Sequence, residues 1–332
     1  MQKYIAFFFT LSIIFSCQKK KCEINPEIAK IKAQVTIERL ENSFFAAKDE
    51  NAIRAFLAQH PSFAQRYLQI KPQAPDGNIV ASLTRLTNEP NLNKFAQETE
   101  NKFKDLTPIK QDLETAFKHL KYYYPTFIVP KVNTYISGLL GPDLFVSDSL
   151  LVLGIDYFAG KQARYRPQQP EYILQRYEPE NMVPAVVLQL SSQYNKIDLE
   201  RSNMMAEMIN YGKSLYFTER MMPCTPDSLI IGYSDQQIAD VRYNEGKIWA
   251  HFIEKGLLYE TDHFKVNKYV GERPNIPEIG KRCPGRVATW VGWQIVRKYM
   301  AENPDITLQQ LMNDSDSQKI FLQSKYKPKK RS

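Results

Sequence analysis

Hydrophobic and polar positions divide the chain into a helical first part, a short β-rich stretch and a second helical part. Apolar side chains recur at helical spacing up to residue 121, most clearly in the segment Leu106–Tyr124, as in an amphipathic helix. Short β-branched and aliphatic runs follow at Thr126–Ile136 and Ser149–Asp156, bounded by glycine and proline, as strands usually are. Helical spacing then returns. The pattern predicts an α+β, mostly helical fold in which a small antiparallel sheet precedes a helical core.

The most apolar helical stretch is Pro284–Met300, which contains two of the three tryptophans, Trp290 and Trp293. Proline is accepted in a first helical turn, where its missing N–H would be unpaired anyway, so the helix is predicted to begin at this proline. Ala288 and Gly292 are four residues apart, which leaves one stripe of the helix nearly bare for a close neighbour. A helix that is apolar nearly all round is usually buried, so we predict that this one is central.

Two arginines interrupt the apolar surface of this helix, Arg286 near its start and Arg297 near its end. An arginine on a buried helix needs a carboxylate or carbonyl partner, because an uncompensated buried charge is costly. We predict that Arg286 pairs inside the fold, with Glu245 as one candidate. If Arg286 instead points into an open cleft, the helix forms the floor of a site that suits an anionic ligand.

The composition is that of a folded protein with a mildly basic surface. Of 332 residues, 43% are hydrophobic and 24% charged, which is enough apolar surface for a core and excludes the disordered class. The net charge is +8, but the basic residues are scattered except for the runs Lys19–Lys21 and Lys325–Arg331. Such runs near chain ends are more often solvated than binding arms, so we expect no nucleic acid partner.

The first residues resemble a bacterial lipoprotein signal. A short positive segment, Met1–Lys3, precedes the apolar run Tyr4–Phe15, which is too short to span a bilayer comfortably. The next residues, up to Ser16 and Cys17, resemble a lipobox, which implies cleavage before Cys17 and acylation of that residue. The alternative is an ordinary secretory signal in which Cys17 is incidental. No later run of apolar residues is long enough to span a membrane, so we expect an anchored protein.

These features predict a signal peptide over residues 1–16, a polar tether over 17–26 and a single globular domain over 27–332. Within that domain, residues 27–121 form a helical N-terminal part and residues 122–332 form the sheet and the helical core. The expected location is the cell envelope. The acidic pair that often directs lipoproteins to the cell surface does not follow the lipobox, which favours a protein that faces the periplasm; the inner and outer membranes both stay open.

Three cysteines remain once Cys17 carries lipid: Cys22, Cys224 and Cys283. Outside the cytoplasm, cysteines can form disulfides. A Cys224–Cys283 bond is one hypothesis, and two unpaired buried thiols are the alternative, because pairing is not decided by sequence alone.

The chain carries few residues in patterns that indicate metal or nucleophilic chemistry. Its four histidines lie far apart and form no His-x-x-x-His pair, so the usual two-imidazole helix site for zinc is absent. No nucleophile elbow and no phosphate-binding loop is found. Asp156 ends a predicted strand. If the chain were an enzyme, Asp156 and Glu207 could be its carboxylate pair, although an aspartate at the end of a strand often only caps the next turn. We therefore predict no catalytic residue, no metal and no cofactor.

Several short motifs follow one another along the chain after the lipobox: Tyr123–Pro125, Pro130–Val132, Ile136–Gly138, Gly154–Gly160, Met208–Phe217, Asn244–Glu245, Ile248–Trp249, Pro284–Arg286 and Gly292–Val296. In this order they are similar to the gliding motility lipoprotein GldB family, over essentially the whole mature chain. Each motif alone is unspecific, but the ordered set is fairly specific. The resemblance implies a lipoprotein of the cell envelope that is needed for gliding, and it supplies no known reaction. Together with the missing metal ligands described below, it leads us to expect a non-catalytic binding or scaffold component. Other motility or secretion-apparatus proteins are its expected partners, and palmitate is the expected lipid.

The GldB family is in turn distantly similar to zinc proteases of the gluzincin type, which implies a zincin-like helical core. In those proteases an H-E-x-x-H helix precedes a helix that supplies a glutamate just before a glycine. Here the corresponding segment Val183–Gln193 contains no histidine or glutamate, and Tyr211 stands before Gly212. Nothing in these positions would hold zinc or activate water, so we expect a protease-like scaffold without catalysis.

Two alternatives remain open. The chain could be a peptidase-like envelope hydrolase with an unrecognised active site. It could also be a carbohydrate-binding lipoprotein that uses the tyrosine-rich segment Arg164–Pro179, because tyrosine presents an apolar ring with a polar tip.

Overall fold

The computed structural model describes residues 22, 25–198, 200 and 203–328. Cys17 and the predicted signal peptide lie outside these residues. The described chain consists mainly of helices beside one four-stranded sheet, so the prediction of an α+β, mostly helical fold is confirmed. Within the described part, no helix has both the length and the hydropathy needed to cross a membrane.

The first part of the described chain is helical apart from one short strand. Its elements are α1 (Pro26–Ala29), β1 (Ile37–Arg39), α2 (Leu40–Ala46), α3 (Glu50–Gln59), α4 (Gly77–Asn88), α5 (Pro90–Lys102) and α6 (Thr107–Tyr123). The amphipathic pattern of α6 is confirmed, since Leu113, Phe117 and Leu120 are buried along one face. The strand β1 is a correction, because the whole stretch 27–121 was predicted to be helical.

The second part contains the rest of the sheet and the helical core. Its elements are β2 (Lys131–Tyr135), β3 (Leu144–Val146), β4 (Leu150–Gly154), α7 (Glu171–Leu174), α8 (Met182–Leu190), α9 (Met204–Met221), α10 (Asp227–Ile231), α11 (Asp235–Tyr243), α12 (Glu245–Glu254), α13 (His263–Val270), α14 (Val287–Glu302), α15 (Leu308–Asn313) and α16 (Ser317–Ser324). Ser234 and Gln237 form a capping box at the start of α11.

The sheet is mixed, with strand order β1-β2-β4-β3. β2 pairs in parallel with both β1 and β4, whereas β3 runs antiparallel to β4. The prediction of an antiparallel sheet is therefore wrong for the central pair of strands. The two β-rich runs of the sequence do not form a hairpin with each other, because the three-residue strand β3 lies between them in the chain and forms the hairpin with β4. All five residues of β4 are buried, as is usual for a strand with parallel neighbours.

α14 begins three residues later than its sequence pattern predicts. Arg286 is the capping residue and has a left-handed backbone conformation with φ of 60°. A left-handed residue cannot continue into a right-handed helix, so Pro284 and Gly285 belong to the preceding turn. The backbone N–H of Arg286 donates to the carbonyl of Gly271 at 3.2 Å, which ties this turn to the loop after α13.

α14 and α9 form the most extensive helix–helix contact in the described chain. Their backbones approach at Gly212 and Gly292: a Cβ atom on Gly292 would overlap the carbonyl oxygen of Met208, and one on Gly212 would overlap the backbone of Gly292. Trp290 and Trp293 are buried beside this crossing. The central position of the helix and its close neighbour along the bare stripe are both confirmed.

The cysteine pairing differs from the prediction. Cys22 and Cys224 form the disulfide, and Cys283 is a buried free thiol. The hypothesis of a Cys224–Cys283 bond is therefore wrong. Cys283 faces the core beside the entry to α14, and burial raises the pKa of its thiol to about 12, so the thiol stays protonated and unreactive at neutral pH.

Candidate functional site

A cavity of about 670 Å³ lies between α8, α9, α10 and the turn that enters α14. This volume is in the range of sites for small ligands. Ala185 and Gln189 of α8 face it from one side, and Tyr211 and Ser214 of α9 from the other. The distant resemblance to gluzincin proteases, which stays a prediction, would place metal ligands on these two helices. Their side chains at the cavity are uncharged here.

One end of the cavity is built from two arginines and one glutamate. Arg176 follows α7 and donates both guanidinium N–H groups to the two carboxylate oxygens of Glu272, at 2.6 and 2.7 Å. Its Nε donates to the carbonyl oxygen of Gly232 at 3.2 Å. Nε of Arg286 lies 3.5 Å from the same Glu272. Burial opposes ionisation of Glu272, but Arg176 and Arg286 lower its pKa below the usual value.

The predicted partner of Arg286 is therefore wrong, although the prediction that it pairs inside the fold is confirmed. Glu245 begins α12 and accepts a hydrogen bond from the hydroxyl of Tyr326 at 2.9 Å. Glu272 meets Arg286 instead, because the loop after α13 is hydrogen-bonded to the turn before α14. Arg286 also lines the open cavity, so this turn at the start of α14 contributes to the floor of a site.

The cavity lining also contains an aspartate and a tyrosine that are hydrogen-bonded to each other. Asp143, just before the edge strand β3, accepts a hydrogen bond from the hydroxyl of Tyr177 at 3.0 Å, and Asn181 belongs to the same lining. Burial, and then the negative charge of Asp143, raise the pKa of Tyr177 above its ordinary value. The hydroxyl therefore stays protonated and donates to the carboxylate.

The tyrosine-rich segment does not present one continuous aromatic surface. Tyr177 lines the cavity, whereas Tyr165 packs edge-to-face on Phe95 of α5, with ring centroids 5.5 Å apart. A carbohydrate site along the whole segment therefore has no support in the arrangement of these rings.

Arg297 is not part of the cavity lining and lies in an ion-pair network near the end of α14. It donates to Glu219 at 2.8 Å and to both carboxylate oxygens of Asp227 at 2.7 and 2.9 Å. Its guanidinium also stacks 3.9 Å above the ring of Trp293, whose indole N–H donates to Glu219 at 2.8 Å. The prediction that Arg297 needs a carboxylate partner is confirmed. Trp290 is buried, and its indole N–H has no partner within the described residues.

Asp156 and Glu207 do not form a carboxylate pair. Asp156 is buried after β4 and accepts hydrogen bonds from the backbone N–H groups of Ser137 and Leu139, at 3.0 and 2.9 Å. Glu207 lies on α9, where burial raises its pKa and the neighbouring His263 opposes this effect. Asp156 therefore holds the turn after β2, as the structural alternative for a strand-end aspartate predicts.

Replacing Asp156 by asparagine is expected to flatten the dependence of stability on pH between about 4 and 6. Burial raises the pKa of Asp156 to about 6, against about 3.9 in an unfolded chain. Between these values the folded state binds a proton that the unfolded state does not, so this group's contribution is full below about pH 4 and is lost as the pH rises. The loss is roughly 3 kcal/mol. Urea unfolding of both proteins from pH 4 to 7 measures it, and parallel curves would contradict the shift.

The described side chains include no group of three or more His, Cys, Asp and Glu placed to hold a metal ion. His251 on α12, for example, lies 3.0 Å from the hydroxyl of Tyr269 and not beside a second imidazole. Within the described residues, the cavity lining contains two carboxylates, those of Asp143 and Glu272.

From the sequence, α8 and α9 were compared only with the metal-binding helices of proteases and Arg286 was expected to pair inside the fold, whereas Arg176, Glu272 and Asp143 were missed. Arg176 and Glu272 are 96 residues apart and lie in loops, outside any spacing pattern. The pairing of two ordinary charged residues indicates a site only when the fold is known, because only the fold brings them together.

Comparison with known proteins gives one clear relationship. No curated protein matches the chain, and no solved structure matches it. The model of a family described as gliding motility protein GldB matches residues 21–328, which include both helices of the cavity and the whole sheet. The chain belongs to the GldB family of gliding motility proteins.

Proposed function

We propose that this chain is a lipid-anchored part of the gliding apparatus in the cell envelope, and that it works by binding another motility or secretion-apparatus protein and not by catalysis. Membership of the GldB family supports a gliding motility lipoprotein. The observation that carries the binding role is the cavity between α8 and α9, which is large enough for a ligand. The side chains of these two helices that line the cavity are amide, hydroxyl and apolar groups. Such a lining suits recognition.

The anchor in this proposal is the acylated Cys17, on the periplasmic side of a membrane. Several acyl chains would hold the protein firmly, since each buried CH₂ adds roughly 0.8 kcal/mol. The described domain would then lie close to the membrane surface, with the cavity accessible to envelope proteins.

Filling the cavity is expected to abolish gliding without releasing the protein from the membrane. Ala185 of α8 is half-buried and lines the cavity, so Ala185→Trp places an indole where a partner segment would enter. Cells that lack the native gene would be complemented with the variant, and colony spreading and the membrane-fraction amount of the protein would be measured. We expect no spreading at a normal amount of membrane-bound protein.

Ala301→Trp is the matched control, because Ala301 is exposed near the end of α14, outside the cavity lining. It should support normal spreading. Cys17→Ser is the second control and should leave the membrane fraction or keep its signal uncleaved. Normal gliding with Ala185→Trp would overturn the binding role of the cavity. Hydrolysis of an envelope peptide by the purified protein, lost in Ala185→Trp, would favour the peptidase-like alternative.

A further inference from the structure

We propose that the cavity binds a peptide by its terminal carboxylate, which Arg286 receives beside Arg176 and Glu272. This inference rests on the proposed function in that it concerns the same cavity, and it names the class of ligand. A partner could fill the cavity without presenting a carboxylate, so the two proposals fail separately.

The basic end of the cavity contains one positive charge more than its carboxylate can compensate. Both oxygens of Glu272 are engaged by the guanidinium fork of Arg176 at 2.6 and 2.7 Å, a geometry typical of a strong bidentate pair. Arg286 reaches this carboxylate only with Nε at 3.5 Å, and its side chain is 13% exposed. Its side chain makes no hydrogen bond within the described residues. A largely buried guanidinium without a full partner is costly, and an anion in the cavity would supply that partner.

The backbone holds Arg286 in place in a conformation that is unusual for a residue with a side chain. Its φ is 60°, in a region that is sterically unfavourable for residues other than glycine. The turn is fixed by the bond from the N–H of Arg286 to Gly271 at 3.2 Å and by the hydroxyl of Tyr233, which donates to the carbonyl of Gly285 at 2.6 Å. Arg286 is thus presented to the cavity by a rigid turn, as a preorganised binding group would be.

The charge balance favours a monoanion over a dianion. Two guanidinium groups and one carboxylate leave a single uncompensated positive charge, and the carboxylate of Glu272 would repel a second negative charge on the ligand. A peptide carboxylate carries one charge and matches the planar guanidinium fork. Inorganic phosphate carries more than one at neutral pH and fits this balance less well.

The remainder of the cavity suits the body of a peptide. Apolar side chains also line the cavity: Phe158, Leu188, Leu215, Ile231 and Val270. Asp143 and Asn181 belong to the same lining, and their carboxylate and amide oxygens can accept N–H groups of a backbone or an amino terminus. The lining therefore combines basic, apolar and acidic groups, as a short peptide with two charged termini requires.

The proposal is tested by titrating the detergent-solubilised full-length protein with three probes in a calorimeter: tri-alanine, tri-alanine amide and inorganic phosphate, at matched ionic strength. We expect tri-alanine to bind at least about tenfold more tightly than its amide, since hydrogen bonds to a charged group contribute about 1.5–3 kcal/mol. Phosphate should bind more weakly than tri-alanine. Absence of tri-alanine binding at about 1 mM would overturn the proposal, as would equal binding of the amide or tighter binding of phosphate.

Arg286→Gln should weaken tri-alanine binding at least about tenfold and abolish the preference over the amide. Arg282→Gln is the matched control, because Arg282 pairs with Asp240 on the surface and its side chain is 70% exposed. It should bind like the unchanged protein. Equal affinities of the Arg286 and Arg282 variants would contradict the role of Arg286.

A second variant keeps the test decisive if Arg286→Gln does not fold. Glu272→Gln removes the carboxylate that competes for both arginines, so tri-alanine should bind about threefold or more tightly, with phosphate gaining at least as much. A purely structural role of the three charges predicts the opposite, because breaking the Arg176–Glu272 pair would loosen the site. Weaker binding by Glu272→Gln would therefore overturn the proposal.

Discussion

Replacing Gly292 by alanine is expected to lower the free energy of unfolding by at least about 3 kcal/mol. The added Cβ would overlap the carbonyl oxygen of Met208 in the neighbouring helix α9. This obstacle is backbone, so no side-chain rotation relieves it, and α9 and α14 must move apart. Because Trp290 and Trp293 are buried on the same helix, the separation also loosens the centre of the core. Urea unfolding followed by tryptophan fluorescence measures the change.

Gly77→Ala is the matched control, since Gly77 also lies in a helix but has no atom within 4 Å of an added Cβ. It should be neutral or stabilise by about 0.4–1 kcal/mol, because alanine restricts the unfolded chain. Gly212→Ala adds a Cβ at the same crossing, on the side of α9. It should lower the free energy of unfolding by an amount similar to that of Gly292→Ala. The double variant should cost less than the sum, since the helices are already apart. Strict additivity, or a Gly292→Ala effect as small as that of Gly77→Ala, would contradict the close crossing.

The crossing was predictable because it depends on local spacing. Ala288 and Gly292, four residues apart on an apolar helix, have one simple physical consequence, a surface that a neighbour can approach. The buried face of α6 was predictable for the same reason. The fold class was predictable from the spacing of apolar residues along the chain. This spacing is a property of neighbouring residues and requires no knowledge of which distant segments meet.

Features that depend on which distant segments meet were predicted less well. The predicted direction of the strands was wrong because β3 is only three residues long and leaves almost no pattern in the sequence. In the structure, β3 is nevertheless the strand that pairs antiparallel with β4. The partner of Arg286 was wrong because Glu245 and Glu272 are equally plausible by charge, and only the packing of α13 against α14 selects the second. The predicted start of α14 was wrong because the surrounding loops impose the left-handed conformation of Arg286, which the sequence pattern does not reveal.

The candidate site combines both situations. Its two helices were singled out from the sequence only as segments that a related protease would use to hold zinc, whereas Arg286 was singled out by its place on an apolar helix. Arg176 and Asp143 are ordinary charged residues in loops, and each meets its partner, Glu272 and Tyr177 respectively, only in the folded chain. A site of this kind is found by locating an excess of charge in a cavity, after the fold is known.

Removing the disulfide between Cys22 and Cys224 is expected to lower the free energy of unfolding by about 5 kcal/mol. The bond joins residues 202 positions apart, and closing so long a loop in the unfolded chain corresponds to a loss of about 5 kcal/mol of chain entropy at 25 °C. Cys22→Ser, Cys224→Ser and the double variant should therefore be equally destabilised, because each removes the same bond. Urea unfolding with and without reductant measures this, and reductant should affect none of the three variants.

Cys283→Ala separates this pairing from the alternative in which Cys224 bonds to Cys283. With the bond at Cys22, the Cys283 variant keeps the full effect of reductant, whereas a Cys224–Cys283 bond would make it insensitive and leave Cys22→Ser sensitive.

The pairing also matters for the anchor. Cys22 lies five residues after Cys17, a span of at most about 18 Å, so the bond would hold the residue that we propose to be acylated close to the loop after α9. In cells, Cys22→Ser should then become more accessible to protease between residues 17 and 26 while it stays in the membrane fraction; unchanged cleavage would show that α1 alone positions the tether.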